Sequence, residues 1–443
     1  MKLGIVNLGC PKNTVDMECM ISLLGGPVIT TDPAEADVII INTCAFLKSA
    51  RKESEEAISG MLSYRKNNPG LKVIVSGCFV SKDRKMLAEK FRDIHSFVGI
   101  NDIYSIKQAV EKSGSYCSAP PFTYKNNDHN VILNPYSVYV KISEGCNHKC
   151  SFCIIPSIKG RYRSRGKKDI INEVKKLAGA GVKEINLISQ DLSYYGKDLK
   201  KNAGLPGLVR GILNAVDEKI WIRLMYLYPD KEVLSGLADI MKKDSRLVKY
   251  MDIPFQHITD PMLASMRRGY RKKDITAIIS MLRAKVPDIT LRSSFIAGYP
   301  GESKKDFNEL KDFILSGAVD KPGIFLYSDE PDSFSYRLKG KVSEKTAALR
   351  CRSLMLDSEK VCLYNNKSKI KKEMSALVLG RISKNRYIGR FETDAPDVDS
   401  FVNIRADKSL KEGSFIKAAV KNADSRSFEA AAAGIKKNKR SRK

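Results

Sequence analysis

The first third of the chain alternates short apolar runs with longer stretches of mixed polarity. Apolar runs at residues 2–8, 37–42 and 72–76 predict buried strands, and the stretches between them predict helices. This order favours a doubly wound α/β domain with a parallel sheet. We expect this N-terminal domain to span residues 1–115 and a linker rich in Pro, Asn and Ser to follow at residues 116–134.

The middle of the chain holds six further strand candidates separated by helical stretches. They lie at residues 138–142, 184–188, 221–227, 250–253, 290–297 and 323–327. Regular βα alternation with right-handed crossovers predicts a partial TIM-like (β/α)6 barrel over residues 135–342. Active groups are then expected at the carboxyl ends of the strands.

The pattern changes twice more toward the C-terminus. Residues 343–372 are helical and strongly charged, which predicts an exposed connecting helix. Five short strand candidates, at residues 376–379, 387–390, 401–404, 415–420 and 427–430, predict a small OB-like β-barrel over residues 373–434. Residues 435–443 are expected to form a disordered basic tail. The fold class is therefore α/β multidomain.

Charge narrows the choice of partners. The chain has 443 residues with 77 Lys and Arg against 50 Asp and Glu, a formal net charge of +27. This predicts attraction to a polyanion such as RNA or a ribonucleoprotein, with a lysine-rich surface that serves solubility alone as the alternative. The sequence has neither an apolar run of membrane-spanning length nor the pattern of a secretory signal. We therefore expect a cytoplasmic protein with no membrane partner.

Three of the ten cysteines stand close together just after the first strand of the predicted barrel, as Cys146-x-x-x-Cys150-x-x-Cys153. We call them the barrel triad. Three thiolates can hold a four-iron cluster and leave one iron open to a reactant. A zinc site that recruits His148 or a distant ligand is a second interpretation, which is disfavoured because no second pair of cysteines follows. Unligated cysteines are the third.

Each predicted strand of the N-terminal domain runs into a cysteine. These cysteines, Cys10, Cys44 and Cys78, are called the N-terminal triad. Because the carboxyl ends of parallel strands share one edge of a sheet, we expect the three side chains to meet. The pattern predicts a second iron–sulfur cluster, again with one iron that lacks a cysteine. Reduced cysteines packed in the core are the alternative.

The barrel triad, with the aromatic Phe152 before its last cysteine, resembles the signature of the radical S-adenosylmethionine (SAM) enzymes. The order of domains resembles that of the methylthiotransferases, which have an N-terminal cluster domain, a radical SAM barrel and a C-terminal TRAM barrel. This resemblance covers nearly the whole chain. Segments 8–16, 252–257, 266–269, 295–302 and 394–399 carry it further, toward the branch that modifies an aspartate of small-subunit ribosomal protein twelve.

The resemblance implies two [4Fe-4S] clusters and SAM as cofactors. By this resemblance, the cluster on the barrel triad supplies an electron that cleaves SAM to a 5′-deoxyadenosyl radical, and Phe152 also contacts SAM. The radical then removes a hydrogen from the β-carbon of the aspartate. The N-terminal triad carries the cluster from which a methylated sulfur is transferred. The chemistry belongs to the cofactors, so no side chain is expected to act as a catalytic acid or base.

Residues at other strand ends are weaker candidates. Gln190 and Gly298 are expected to contact SAM, with ordinary turn structure as the alternative. Arg161, Arg163 and Arg165 follow the barrel triad. They are expected either to pair with a carboxylate or to face solvent or ribosomal RNA.

The expected partners are a ribosomal protein substrate, ribosomal RNA or the small subunit near it, and an electron donor; the oligomeric state is not predicted. Asp394, Asp397 and Asp399 are expected to meet the basic substrate by charge complementarity. Two other functions remain open. One is a transfer-RNA adenosine methylthiotransferase, and the other is a non-catalytic iron–sulfur scaffold that binds RNA.

Overall fold

A computed structural model describes residues 1–118, 129, 133–200, 204–216 and 219–432. The predicted linker at residues 116–134 lies largely outside the described residues, and the predicted basic tail at residues 435–443 lies wholly outside them. None of the helices in the described part combines the length and the apolar character needed to cross a bilayer.

The N-terminal domain is a parallel six-stranded sheet with helices on both faces. Its strands are β1 (Lys2–Asn7), β2 (Val28–Thr30), β3 (Val38–Thr43), β4 (Lys72–Gly77), β5 (Ser96–Val98) and β6 (Gly114–Tyr116). Its helices are α1 (Pro11–Leu23), α2 (Lys48–Ser63), α3 (Cys78–Lys90) and α4 (Ile106–Glu111). The strand order β2-β1-β3-β4-β5-β6 confirms the doubly wound prediction. The short strands β2, β5 and β6 were not predicted, because three residues carry too little periodicity.

The central domain is an open, parallel six-stranded sheet with the order β14-β13-β12-β11-β10-β7. The strands are β7 (Ser137–Lys141), β10 (Glu184–Ile188), β11 (Trp221–Leu224), β12 (Leu247–Asp252), β13 (Thr290–Ala297) and β14 (Lys321–Leu326), with a short β8 (Ser143–Glu144) and β9 (Arg163–Ser164) pair beside them. The helices are α5 (Ile155–Lys159), α6 (Lys167–Gly179), α7 (Gly204–Leu213), α8 (Lys231–Lys243), α9 (Asp260–Ser265), α10 (Lys272–Lys285) and α11 (Lys304–Leu315). The predicted partial (β/α)6 barrel is confirmed.

Helix α12 (Glu344–Lys367) connects the central domain to the last one. Its residues Ala347, Cys351, Leu354 and Val361 lie on one helix face and are buried. The helix packs on the edge strand β14 and on α11. The prediction of an exposed helix is wrong for this face, because an uncovered edge strand needs a partner element. Most of the charged residues of α12 are exposed, whereas Asp357 is buried.

The C-terminal domain is a closed barrel of five strands. They are β15 (Glu373–Ser383), β16 (Arg386–Phe391), β17 (Phe401–Arg405), β18 (Phe415–Ala423) and β19 (Ser427–Ala432), in the order β15-β16-β17-β19-β18. Apolar side chains fill its interior, including Tyr387, Phe391 and Phe428. The predicted small OB-like barrel is confirmed.

Buried ion pairs join this barrel to the inner face of the central sheet, the face opposite its helices. Glu184 on β10 accepts hydrogen bonds from Arg390 Nη1 (2.9 Å) and Arg223 Nε (3.0 Å). Burial alone would raise the pKa of Glu184, but the charges of Arg390 and Arg223 lower it to about 2. On the same face, α1, β11, β12 and β15 contribute to one apolar cluster. All three domains therefore meet there.

The acidic element at residues 394–399 takes part in this junction. Asp394 is buried and pairs with Lys321. The side chain of Asp399 is 2% exposed and pairs with Arg292 (2.8 Å). Asp397 accepts a hydrogen bond from a tyrosine of β7. The prediction that these carboxylates meet a basic substrate is wrong for Asp394 and Asp399, because their charges are already paired inside the protein. Asp397 is exposed, and its contact with a substrate stays a prediction.

Candidate active site

The N-terminal triad lies at one edge of the first sheet. Cys10 and Cys44 follow β1 and β3, and Cys78 begins α3 directly after β4. These three strands are parallel neighbours. The side-chain amide of Asn13 donates to the backbone carbonyls at the ends of β1 and β3, at 2.9 and 3.1 Å, and so ties the first two loops together. The sheet order therefore places the three cysteines at the same edge of the sheet, and their joint ligation of a cluster stays a prediction.

Burial lowers the acidity of Cys44 and Cys78, because it raises the pKa of both thiols. It raises the pKa of Cys78 to about 12, while the ammonium of Lys159 acts in the opposite direction. The charges of Cys10 and Cys44 raise the pKa further, so the three sulfurs influence one another. Because iron binds thiolates, loading a cluster here is expected to release protons.

The barrel triad occupies the loop between β8 and α5. Gly145, just before this loop, has a φ of +79°, and a Cβ there would lie 2.2 Å from the carbonyl oxygen of Arg161. The backbone N–H of Cys146 donates to the carbonyl of the residue before Arg161 (3.1 Å) and closes the loop. The Sγ of Cys150 accepts a hydrogen bond from Arg268 Nη1 (3.1 Å).

The donor set of both triads fits an iron–sulfur cluster. All six cysteines are free thiols, and burial raises the pKa of Cys146 to about 11 and of Cys153 to about 12. Among the residues that the structure describes, no three His, Cys, Asp or Glu side chains are arranged to hold a single metal ion. A four-iron cube spreads its ligands more widely than one ion does, and thiolates are the ligands that it prefers.

A buried charge network connects the regions of the two triads. Lys141, at the end of β7, contacts Asp16 Oδ1 (2.6 Å) on α1 and Glu144 Oε2 (2.6 Å), which precedes the barrel triad. Lys159 lies 3.5 Å from Glu144 and 3.8 Å from Asp16. Burial alone would lower the pKa of Lys141, but the two carboxylates raise it. We call these four residues the interdomain charge network, and it holds the first domain against the second.

A cavity of about 200 Å³ lies between the N-terminal and central domains. Phe46 and Leu47 of the first domain line one side, Phe152 of the barrel-triad loop lines another, and residues of β13 and β14 complete the wall. A largely apolar cavity at a domain interface is a common location for a small-molecule site. The contact between Phe152 and SAM stays a prediction.

The structure gives different environments to the two other SAM candidates. The amide nitrogen of Gln190 donates to Glu144 Oε1 (2.5 Å), whereas its buried amide oxygen has no partner among the described residues. That oxygen is an available acceptor for an amino group. Gly298 has a φ of +79°, and a Cβ there would lie 2.4 Å from the Cβ of Ala347 on α12. Packing against α12 accounts for this glycine, and the SAM contacts of Gln190 and Gly298 stay predictions.

The three arginines after the barrel triad are used in different ways. Arg165 is 2% exposed and pairs with Asp169 (2.7 Å) and Glu173 (2.6 Å) of α6. Its carboxylate partners are internal, so it is a structural residue. Arg163 Nη1 donates to the carbonyl of Arg161 (2.7 Å), and Arg161 itself is exposed. Arg161 fits the alternative of facing solvent or RNA, and Arg163 is half-buried.

Two residues of the site were missed by the sequence analysis. Lys12, in the first turn of α1, is 9% exposed, and its ammonium lies 3.6 Å from the ring centroid of Tyr226. Tyr226 follows β11 with a φ of +65°, a strained conformation for a residue other than glycine. The position of Lys12 two residues after Cys10 was an available signal, whereas nothing in the sequence marks Tyr226.

Three family profiles match successive parts of the chain. Uncharacterized protein family UPF0004 matches residues 2–99, the Radical SAM superfamily matches residues 140–314, and the TRAM domain matches residues 370–432. Their order is that of the three folded domains. The radical SAM match implies a [4Fe-4S] cluster and SAM as cofactors.

Solved structures share the fold at low identity. The radical S-adenosylmethionine methyltransferase TsrM from Kitasatospora setae, with cobalamin and a [4Fe-4S] cluster bound, has a TM-score of 0.53 at 15% identity and covers 75% of this chain and 76% of its own. The cobalamin-dependent S-adenosylmethionine radical enzyme OxsB, with aqua-cobalamin and S-adenosylmethionine bound, has a TM-score of 0.51 at 13% identity, over 81% of this chain and 56% of its own. These similarities show the fold alone.

Curated relatives are much more similar. Ribosomal protein uS12 methylthiotransferase RimO of Thermoanaerobacter sp. (strain X514) is 37% identical over 430 residues, 95% of this chain and 97% of that protein. The protein of the same name from Caldanaerobacter subterraneus subsp. tengcongensis is 39% identical over 429 residues, 95% and 97% of the two chains. The one from Clostridium novyi (strain NT) is 37% identical over 94% of each chain. The chain belongs to the RimO family of methylthiotransferases, within the radical SAM superfamily.

Proposed function

We propose that this protein is a radical SAM enzyme that methylthiolates the β-carbon of an aspartate in ribosomal protein uS12, with SAM as methyl donor and radical source. The observation that carries the proposal is the presence of two cysteine triads at the edges of adjacent domains, with an apolar cavity beside one of them. Relatives that match nearly the full length bear the name of this activity.

In this proposal each triad has one task. Cys146, Cys150 and Cys153 hold a [4Fe-4S] cluster with an open iron, and the N-terminal triad holds the second cluster. A cluster of this kind supplies an electron that cleaves bound SAM and generates a carbon-centred radical. An aliphatic C–H bond requires such a radical, because side-chain bases cannot remove its proton at a useful rate.

The surrounding residues hold the reactants and exclude water. Arg268 orients the thiolate of Cys150 through its hydrogen bond, and Gln190 offers its free amide oxygen to the amino group of SAM. Phe46, Leu47 and Phe152 cover the reacting region with apolar surface, which protects a radical from solvent. The interdomain charge network keeps the two triads at a fixed separation.

The net charge indicates in which form the protein meets its substrate. At +27 the chain would repel a free basic protein, but it is attracted to ribosomal RNA. We therefore include the small ribosomal subunit or its RNA among the partners, together with an electron donor, and place the reaction in the cytoplasm. The same charge favours the transfer-RNA alternative, which the experiment below separates.

The test uses anaerobically reconstituted protein with SAM and a chemical reductant, and mass spectrometry of cells that lack the gene. The expected results are 5′-deoxyadenosine in vitro and loss of the methylthio group from uS12 in the cells. Loss of a methylthio group from transfer-RNA adenosine, with uS12 still modified, would establish the other enzyme. A protein that forms no 5′-deoxyadenosine would be a scaffold.

A further inference from the structure

The ammonium of Lys12 is buried and has no hydrogen bond or ion pair among the residues that the structure describes. The residue is 9% exposed and belongs to the first turn of α1, beside Cys10. Its ammonium contacts the ring of Tyr226, whose centroid lies 3.6 Å from Nζ. A cation–π contact attracts an ammonium but leaves its hydrogen-bond donors unused.

Two other buried lysines nearby provide an internal comparison. Lys141 and Lys159 are each 3% exposed at the side chain, and both lie within 4 Å of Asp16 and Glu144. Their charges are therefore compensated by the protein itself. Lys12 shares their burial, but among the described residues no carboxylate oxygen lies within 4 Å of its ammonium, and Glu144 acts on it only from a longer distance. A buried cation without an anion is costly, so such a group is expected where a ligand brings the missing charge.

The position of Lys12 indicates where such a ligand would bind. Its ionisable neighbours are Cys10 of the N-terminal triad, Glu144 and Lys159 of the interdomain charge network, and Asp252 at the end of β12. The ammonium thus lies between the N-terminal triad and the carboxyl edge of the central sheet. A ligand bound there lies close to where sulfur would leave and where the radical would act.

Two hydrogen bonds hold the backbone of Tyr226 in position beside Lys12. Its φ of +65° places it in the left-handed region, and its backbone N–H donates to Asp252 Oδ2 (3.2 Å). Its carbonyl accepts from the N–H of Leu192 (3.0 Å). Strain of this kind persists only when neighbouring contacts impose it, and it is concentrated at functional sites.

We infer that Lys12 binds the side-chain carboxylate of the substrate aspartate, an inference that rests on the proposed function. The carboxyl carbon is bonded directly to the β-carbon, so an ammonium that holds the carboxylate fixes the β-carbon one bond away. Lys12 is then a substrate-binding residue that places the reacting carbon beside the N-terminal triad. An asparagine at the same position of the substrate has the same shape but no charge to offer.

The test measures the affinity of two synthetic peptides for the protein loaded with both clusters. One peptide carries the uS12 target loop with its aspartate, and the other carries asparagine at that position. Fluorescence anisotropy of labelled peptides gives each Kd. We expect the natural protein to bind the aspartate peptide at least about tenfold more tightly. In Lys12→Met that ratio should fall to about one, because only the aspartate peptide loses a partner.

A matched control removes one positive charge elsewhere. Lys52 lies on the outer face of α2, its side chain is 78% exposed, and it pairs only loosely with Glu56 (3.6 Å). Lys52→Met changes the net charge by the same amount and should keep the full aspartate-to-asparagine ratio. If Lys12→Met does not fold, as judged by thermal unfolding, Lys12→Gln takes its place with the same expected result.

Other results would overturn the inference. It fails if either Lys12 variant keeps the ratio, or if the natural protein shows none. It also fails if the variant loses iron, because Lys12 would then serve the N-terminal triad. Loss of 5′-deoxyadenosine formation in the absence of peptide would assign Lys12 to SAM. The proposed function itself fails in a different way, when the natural protein neither binds nor methylthiolates the aspartate peptide.

Discussion

The two cysteine triads reach their geometry by different routes. The barrel triad lies in one loop, closed by a backbone hydrogen bond from Cys146 and by the contact of Arg268 with Cys150. The N-terminal triad takes one cysteine from the end of each of three strands, so it exists only when β1, β3 and β4 are correctly paired. A local motif tolerates much change elsewhere in the chain. A dispersed site depends on the integrity of a whole sheet.

The largest expected effect comes from removing one cysteine of each triad. Cys150→Ala should abolish both SAM cleavage and methylthiolation, because the radical source is lost. Cys10→Ala should abolish methylthiolation but leave SAM cleavage, because the barrel triad is independent of the first sheet. Chromatography of 5′-deoxyadenosine and mass spectrometry of the product measure the two activities. Loss of SAM cleavage in Cys10→Ala would contradict the division between the triads.

A smaller loss is expected when the backbone beside each triad is strained instead. Gly77, with a φ of +100°, precedes Cys78, and a Cβ there would lie 2.4 Å from the side-chain oxygen of Asn42. Gly77→Ala should therefore halve the iron content to about four per chain while SAM cleavage persists. Gly145→Ala should also remove about four irons but abolish SAM cleavage.

The control for both glycine variants is Gly179→Ala. A Cβ at Gly179 would meet no atom within 4 Å. This variant should keep about eight irons and full SAM cleavage. Equal iron loss in all three proteins would mean that the local conformations before Cys78 and Cys146 do not support the triads.

The separation between the triads can be disturbed without touching either one. Asp16→Asn weakens the interdomain charge network and leaves Lys141 and Lys159 to share Glu144. We expect a loss of about 3 kcal/mol in unfolding free energy, measured by chemical denaturation. Methylthiolation should fall at least about tenfold with SAM cleavage retained, since misplacement affects only the transfer step.

A surface carboxylate serves as the control for that variant. Asp93 is 80% exposed at the side chain and lies 3.6 Å from Arg65. Asp93→Asn should cost less than about 1 kcal/mol and leave transfer unchanged. If Asp16→Asn behaves in the same way, the interdomain network does not determine the placement of the two domains.

The smallest effect concerns a pH-dependent contact between the same domains. His129 is held between Glu18 on α1 and Glu173 on α6, each at 2.8 Å. Burial opposes its protonation, but hydrogen bonds with the two carboxylates raise the pKa of His129 to about 9. A histidine whose pKa rises on folding stabilises the protein fully below its unfolded pKa of about 6.5 and loses this effect as the pH rises toward 9.

His129→Gln should therefore cost about 1–3 kcal/mol at pH 6 and distinctly less at pH 9.5. Urea denaturation of the natural protein and the variant at both pH values provides the measurement. A difference that does not change with pH would mean that His129 acts through packing and not through its charge.

Most of the fold was predictable because its strands are strongly apolar and regularly spaced. The six central strands and the five of the last barrel were found within a few residues of their observed bounds. The barrel triad was predictable because its spacing is local. Even the N-terminal triad followed from one rule about parallel sheets, applied to three strands that were easy to recognise.

The errors arose where the sequence does not reveal which surface covers a residue. The charges of α12 suggested exposure, but its apolar face packs on β14. The carboxylates of Asp394 and Asp399 suggested a partner, yet Lys321 and Arg292 neutralise them within the chain. Lys12 and Tyr226 were missed because their contact crosses a domain boundary. Pairings between distant segments are set by tertiary structure, which no local pattern encodes.

The junction between the C-terminal barrel and the central domain limits which residues of a bound macromolecule can enter the reacting centre. Buried ion pairs at Glu184, Asp394 and Asp399 anchor this barrel to the inner face of the central sheet, and the proposed reacting centre lies at the carboxyl ends of that sheet's strands. These contacts fix where the barrel lies on the central sheet. A macromolecule bound to the outer surface of the barrel can then place in the reacting centre only residues that lie at the matching distance from its bound surface. Among chemically identical residues of a bound macromolecule, the one at the correct distance from the barrel would therefore be modified.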